Sequence, residues 1–325
     1  MSPNNELDDL ARDIVRQHSQ LALEAESLER LPIFLAALPL AMTELIARAV
    51  YAACRALDFI DIDAQCVASA WQRQSARTGQ FDPNAWPIEA ADFDLHTLPV
   101  VDGDVAVIAS KARQSMSFPP CPQQLGLYAV LPDAAWVGRM ARAGVPTVQL
   151  RFKSDNPAAV RREVAAAVQA VQGTGALLFI NDHWQAAIEA GAYGVHLGQE
   201  DLEGLGGADL NAIRTAGLRL GVSSHGYAEM LRAATVRPSY IAMGAVYATT
   251  LKRMATPPQG PARLKMYAAL LRDLPTVAIG GIDAARLPEV LASGVGSVAV
   301  VRALVAAEQP EAEVAALQTM FARRG

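Results

Sequence analysis

The sequence predicts an α/β chain, a (β/α)8 TIM barrel preceded by a smaller, mostly helical N-terminal region. Three observations predict it. From Leu125 onward, eight short apolar runs alternate with eight amphipathic helical patterns over about 200 residues, at the compact end of that barrel's range. The runs are apolar nearly throughout, as in parallel strands whose two faces are both covered. The turn after the first run, Leu131-Pro132-Asp133, has none of the glycine-rich character that usually opens a doubly wound dinucleotide-binding sheet.

Taken in order, residues 1–117 form the N-terminal region, with helical patterns over 6–29 and 41–57. A polar, less periodic stretch follows, with turn signals at Gly79–Asn84 and Trp86-Pro87, and a short strand is expected over 104–110. This region carries no nucleotide loop, nucleophile motif or metal-ligand spacing. Residues 118–124 read as a linker, because the prolines 119, 120 and 122 favour extended backbone and end any helix. The barrel, 125–325, has strands expected at 125–131, 147–153, 176–182, 194–201, 219–224, 240–246, 276–282 and 297–304. The helical patterns fall at 134–143, 157–171, 183–190, 210–216, 228–235, 261–272, 284–292 and 311–323.

Composition removes several classes of function. A net charge of −5 argues against a nucleic-acid or membrane surface, so any anionic ligand needs a local basic site. The three cysteines, Cys54, Cys66 and Cys121, have no C-x-x-C spacing and read as unpaired thiols in a reducing compartment. The start, MSPNNELDD, is acidic and unlike a signal or transit peptide. The most apolar run, 31–42, contains two prolines and falls short of the about 20 residues that a membrane span needs. A cytoplasmic protein with small-molecule substrates is expected, and a homo-oligomer is compatible with it.

Barrel chemistry sits at the carboxyl ends of the strands. There the second strand offers Gln149, Arg151 and Lys153 on one side and Leu150 and Phe152 on the other. The third supplies Asn181 and Asp182, and the fourth supplies Gln199 and Asp201. The ends of parallel strands share one rim, so Asp182 and Asp201 can converge on a cation, with helix N-capping as the competing reading. The fifth strand brings Ser223, Ser224 and His225, the last as plausibly a structural donor as a base. A loop over 247–260 carries Thr249, Thr250, Lys252 and Arg253, in keeping with a lid over an anion. Gly280-Gly281 and Val301-Arg302 close the set, where barrels of this kind often hold phosphate. One rim therefore offers a metal pair, two lysines, hydroxyls and bare amides, a site for a diphosphate and a monophosphate.

The segments QLRFK, FINDHW, YGVHLGQEDL, LGVSSH, the Thr-Lys loop ending PPQG, VAIGGI and GVGSVAVV together resemble the thiamine-phosphate synthase family, over about 125–306. The resemblance implies a transferase joining hydroxymethylpyrimidine diphosphate to a thiazole phosphate with release of diphosphate. It implies that Gln149, Leu150, Arg151, Phe152, Lys153 and Asn181 hold the pyrimidine diphosphate, that Asp182 and Asp201 bind Mg²⁺, and that Ser223 contacts the pyrimidine. Lys252 would reach the diphosphate, and Thr249, Thr250, Leu251, Gly281, Val301 and Arg302 would hold the thiazole phosphate. Family members are thought to ionise the diphosphate first, so Lys153, Ser223 and Lys252 are the expected catalytic residues and His225 has no catalytic role. Two departures fall on the thiazole-phosphate side: Leu251 stands where a second threonine is usual, and Arg302 where a serine is usual. Arg302 is expected to replace the lost hydroxyl contacts with a charged one. A thiazole tautomerase on a related barrel is the alternative enzyme, although an isomerase has no need of the diphosphate and metal set. A non-catalytic protein holding a thiamine precursor is the third reading. The N-terminal third lies outside the resemblance and reads either as a helical interaction or stabilising domain or as the remnant of a fused pyrimidine kinase.

Overall fold

The computed structural model of the chain describes residues 3–39, 42, 44–95, 117–249 and 256–323. The strand expected over 104–110 lies outside the described residues.

Eight parallel strands close into a barrel in sequence order. They are β1 (Gly126–Leu131), β2 (Thr147–Leu150), β3 (Leu177–Asn181), β4 (Gly194–Leu197), β5 (Arg219–Ser224), β6 (Tyr240–Met243), β7 (Thr276–Ile279) and β8 (Ser297–Val300). The register pairs Val130 with Gln149, Asn181 with His196 and Ser223 with Ala242, which brings the carboxyl ends to one rim. Inside the barrel, Tyr128, Val130, Phe179, Tyr240, Ala242, Val277 and Ala299 pack on one another. Two glycines make room for them. A Cβ at Gly194 would fall 2.5 Å from the Phe179 ring, and one at Gly221 would fall 2.1 Å from the Tyr240 ring.

Among the described residues, four α-helices precede the barrel: α1 (Pro3–Gln17), α2 (Ser27–Ala36), α3 (Leu45–Ala56) and α4 (Asp61–Thr78). The single pattern expected over 6–29 is broken after α1, where the buried Leu21 sits in a tight turn and the Asp58 carboxylate takes the amides of Leu23 and Glu24. Helix α4 lies where a polar, aperiodic stretch was expected. Its buried face is built from Ala64, Val67, Ala68 and Trp71 together with Asp63 and Gln74, a stripe too small and too polar to read as apolar.

The barrel helices are α5 (Ala134–Arg142), α6 (Pro157–Ala170), α7 (Trp184–Ala190), α8 (Gln199–Gly204), α9 (Gly207–Thr215), α10 (Tyr227–Thr235), α11 (Gly260–Leu270), α12 (Leu287–Ala292), α13 (Arg302–Val305) and α14 (Pro310–Ala322). Five expected strands stop three or four residues early, β2, β4, β6, β7 and β8. β4 ends at Leu197 because α8 begins at Gln199, and β8 ends at Val300 before the short helix α13.

The N-terminal helices and the barrel flank share one hydrophobic core, in which Leu21, Ala53, Trp71 and Trp86 join Met230, Leu264 and Tyr267. The segment from Phe118 crosses the amino-terminal end of the barrel. Phe118 N donates to Arg237 O (3.2 Å), Ser239 Oγ donates to Pro119 O (2.6 Å) and Leu125 N donates to Ser297 Oγ (2.7 Å). All three cysteines are free, and among the described residues no helix is long and apolar enough to cross a membrane.

Candidate active site

A cavity of about 920 Å³ opens at the carboxyl ends of the strands. Gln149 on β2 and Arg151 and Lys153 just beyond its end line it, every second residue as expected. Leu150 and Phe152 do not. Leu150 is buried between sheet and helices and Phe152 packs on the same layer, so neither side chain lines the cavity, and the Phe152 carbonyl is bonded to His183 Nε2 (3.1 Å). Asn181, Asp182, Asp201, Ser223, Thr249, Gly281, Val301 and Arg302 all line the cavity. Thr250, Leu251 and Lys252 lie outside the described residues.

A hydrogen-bonded chain runs across the barrel from Asn181 to Ser223, and its polarity follows link by link. Gln149 Nε2 donates to Asn181 Oδ1 (2.8 Å), which turns its Oε1 toward the Tyr128 hydroxyl (2.8 Å). Tyr128 has only one hydrogen, so Tyr240 donates to it (2.8 Å). Tyr240 can then only accept from His196, and Nδ1 carries the ring hydrogen (2.7 Å). Burial pushes the His196 pKa down to about 4, so the ring is neutral and Nε2 accepts from the Ser223 hydroxyl (2.8 Å). Two groups are left facing the cavity with defined character: a serine oxygen that accepts and an asparagine amide that donates.

The carboxylates meet as expected. Asp182 occupies the left-handed region (φ 62°), its amide bonded to His196 O (3.0 Å), and its carboxyl lies within hydrogen-bonding reach of Asp201. The Asp182 side chain is open to the cavity, yet its pKa is pushed up to about 6, first by the surrounding rim and then by the charge of Asp201. Asp182 does not cap α7, whereas Asp201 accepts the Gly198 amide at the start of α8 (3.1 Å), so capping explains only the second. Among the described residues, no group of three or more His, Cys, Asp or Glu side chains is placed to hold a metal ion. Two adjacent carboxylates in an open cleft fit a hard divalent cation that completes its oxygen shell from a ligand and water.

Gly280 and Gly281 have positive φ (106° and 63°), and a Cβ on either would run into the loop after β6, at 2.5 Å from Ala245 and 2.6 Å from Ala248 O. Their bareness is thus set by packing as well as by any ligand. Arg302 is exposed at the start of α13, with no side-chain partner among the described residues. His225 is committed locally, its Nδ1 2.6 Å and its amide 2.8 Å from Glu229 Oε2.

Sequence reasoning missed Tyr128, His196, Tyr240 and Arg286. The first three are lone polar side chains in otherwise apolar strand runs, and that interruption was the available signal. Arg286 lies beyond the strand ends; it lines the cavity, stacks on Tyr247 (4.7 Å) and donates to Gly281 O (2.5 Å).

The sequence profile of the family described as thiamine monophosphate synthase matches residues 127–304. The thiamine-phosphate synthase of Neisseria gonorrhoeae (strain ATCC 700825 / FA 1090) is 54% identical over 206 residues, which make up 63% of this chain and 99% of that protein. That of Yersinia pestis (strain Pestoides F) is 52% identical over 190 residues, 58% of this chain and 87% of that protein. Among solved structures, the thiamine phosphate pyrophosphorylase from Pyrococcus furiosus superposes with a TM-score of 0.54 at 25% identity, covering 62% of this chain and 96% of that one. The N-terminal helical region lies outside the family match.

Proposed function

This chain belongs to the thiamine monophosphate synthase family, and from that premise we propose how its rim carries out the family's reaction. The enzyme condenses 4-amino-2-methyl-5-hydroxymethylpyrimidine diphosphate with a 4-methyl-5-(2-phosphoethyl)thiazole, giving thiamine phosphate and diphosphate. The catalytic barrel, 125–325, is joined through 118–124 to the N-terminal region, 1–117.

The observation that carries the layout is the polarised chain from Asn181 to Ser223 beside the carboxylate pair. Ser223 accepts from the exocyclic amino group of the pyrimidine, and Asn181 donates to a ring nitrogen, so a ring with the reversed pattern is rejected. Arg151 and Lys153 flank the diphosphate, joined by Lys252 from the loop. Asp182 and Asp201 hold Mg²⁺, which when bound neutralises charge on the leaving diphosphate. The bond between the pyrimidine methylene carbon and the diphosphate oxygen breaks, and the thiazole nitrogen's lone pair forms the new bond to that carbon. Stabilising the leaving group matters more here than a strong base, in keeping with His225 being bonded to Glu229. Thr249, Gly281, Val301 and Arg302 form the corner for the thiazole phosphate, with Thr250 and Leu251 from the same loop. The enzyme works in the cytoplasm. The relatives favour neither the tautomerase nor the non-catalytic reading.

The test is diphosphate release from the pyrimidine substrate by the full chain, with and without thiazole phosphate and Mg²⁺. Release that needs Mg²⁺ and yields thiamine phosphate is expected. Thiamine phosphate formed equally well in excess chelator would overturn the metal assignment.

A further inference from the structure

We infer that the N-terminal helical region is part of the working rim, and that Asp63 is a positioning residue for the loop carrying Ser223. The inference rests on Ser223 as a pyrimidine contact and deepens that reading. β5 ends at Ser224, and after His225 and Gly226 the chain enters α10. A helix start leaves amides without intrahelical partners, and Gly226, the cap residue, has no side chain to offer them. Asp63 of α4 supplies the missing acceptor from elsewhere in the chain. Its Oδ1 takes the Ala228 amide at 2.8 Å, and the carboxylate also faces the Tyr227 amide. The side chain is only 3% exposed.

Gly226 and Asp63 are a matched pair. Gly226 has extended backbone (φ 174°), a conformation open to any residue, but a Cβ there would fall 2.0 Å from Asp63 Oδ2. Space for the carboxylate, not backbone conformation, requires the glycine. Two more ties hold the same turn: Trp86 Nε1 donates to Tyr227 Oη (2.8 Å), and Phe93 stacks on the Tyr227 ring (5.1 Å between centroids). The buried Arg263, beside Asp63 at the start of α11, donates to Leu21 O (2.9 Å) and Leu57 O (2.6 Å) and lies over Phe59 (3.8 Å). Gln259, at the end of the loop after β6, is bonded to Arg263 (3.2 Å) and ties that end to the loop's start through its amide bond to Ala245 O (2.8 Å). The N-terminal helices therefore grip the loop after β5 directly and the end of the loop after β6 through Arg263.

Full-length Asp63→Ala, Asp63→Asn, Gly226→Ala and the Asp63→Ala/Gly226→Ala double variant test this by amide exchange across 223–229 and by steady-state kinetics. Asp63→Ala is expected to speed exchange at Tyr227 and Ala228 and to raise KM for the pyrimidine diphosphate about tenfold, leaving KM for the thiazole phosphate within about twofold. Asp63→Asn, which keeps an accepting oxygen, rescues most of both effects. Gly226→Ala alone reproduces Asp63→Ala, and the double variant is no worse than Asp63→Ala, because the clash has gone. An unchanged pyrimidine KM in folded Asp63→Ala, or additive defects in the double variant, overturns the inference. If Asp63→Ala does not fold, Gly226→Ala carries the same KM comparison from the barrel side. Wild-type turnover to thiamine phosphate, measured alongside, separates failure of the synthase reading from failure of this one.

Discussion

Ser223 Oγ lies 2.8 Å from His196 Nε2, and this contact decides that the serine meets its ligand as an acceptor. The decision is made two links away, because the Tyr240 hydroxyl receives the Nδ1 hydrogen of His196 and passes its own to Tyr128. Tyr240→Phe removes that hydroxyl, leaves the imidazole and Tyr128 short of a partner, and frees His196 to adopt the other tautomer. Ser223 then turns its hydrogen toward the cavity. KM for the pyrimidine substrate should rise about tenfold with a smaller change in kcat, and stability should fall by about 1–3 kcal/mol. Steady-state kinetics and urea midpoints measure both; no change in either would leave the chain without a role.

Asp182 and Asp201 set stability against activity. Two adjacent carboxylates repel, and solvent at the open rim screens only part of this without a cation. Asp182→Asn removes one charge, and asparagine suits the left-handed backbone at this position (φ 62°). The metal-free variant should match or exceed wild-type stability, by less than about 1 kcal/mol because the pair is exposed to solvent. Its diphosphate release should fall by about 100-fold or more and no longer respond to Mg²⁺. Melting curves and release assays with and without the ion would show the two effects moving in opposite directions.

Much of this layout was legible in the sequence, and what was not has a physical cause. The eight apolar runs mark the strands because both faces of each are covered, and period-two alternation on β2 separates Gln149, Arg151 and Lys153 from Leu150 and Phe152. The same alternation turns the Leu150 and Phe152 side chains away from the cavity. Tyr128 and Tyr240 were not legible, since they belong to strands that are not neighbours and meet only across the closed lumen. Asp63 and Ala228 are 165 residues apart, and no local pattern joins an acid on one helix to the bare start of another.

Asp63 also makes stability depend on pH. Burial chiefly raises its pKa to about 6, Glu229 adds to the rise, and the Ala228 and Tyr227 amides and the Arg263 guanidinium oppose it. A carboxyl whose folded pKa exceeds its unfolded value stabilises the fold fully below the unfolded pKa, and that contribution is lost as pH rises through the folded one. Wild-type stability should therefore decline between about pH 4 and pH 7, by up to about 3 kcal/mol from this group. Asp63→Asn should flatten that part of the profile. Denaturant titrations at several pH values on both proteins would show it, and parallel profiles would assign the slope to other groups.

Arg302 stands at the rim where the chain leaves β8 for α13, exposed and with no side-chain partner among the described residues. A guanidinium so placed is available for a charge-assisted, two-pronged bond to phosphate, which a serine hydroxyl cannot make. Arg286, held against Tyr247 and Gly281 O, adds a further cation to the cavity wall. Arg302→Ser should raise KM for the thiazole phosphate by about 10-fold and leave KM for the pyrimidine diphosphate near wild type. Arg302→Lys should recover only part of the loss, because an ammonium keeps the charge but not the fork. Raising the salt concentration should weaken thiazole-phosphate binding more in wild type than in Arg302→Ser, since the variant has one less charge to screen. A serine variant with an unchanged thiazole KM would show that phosphate is held by the backbone and by Thr249 without help from the arginine.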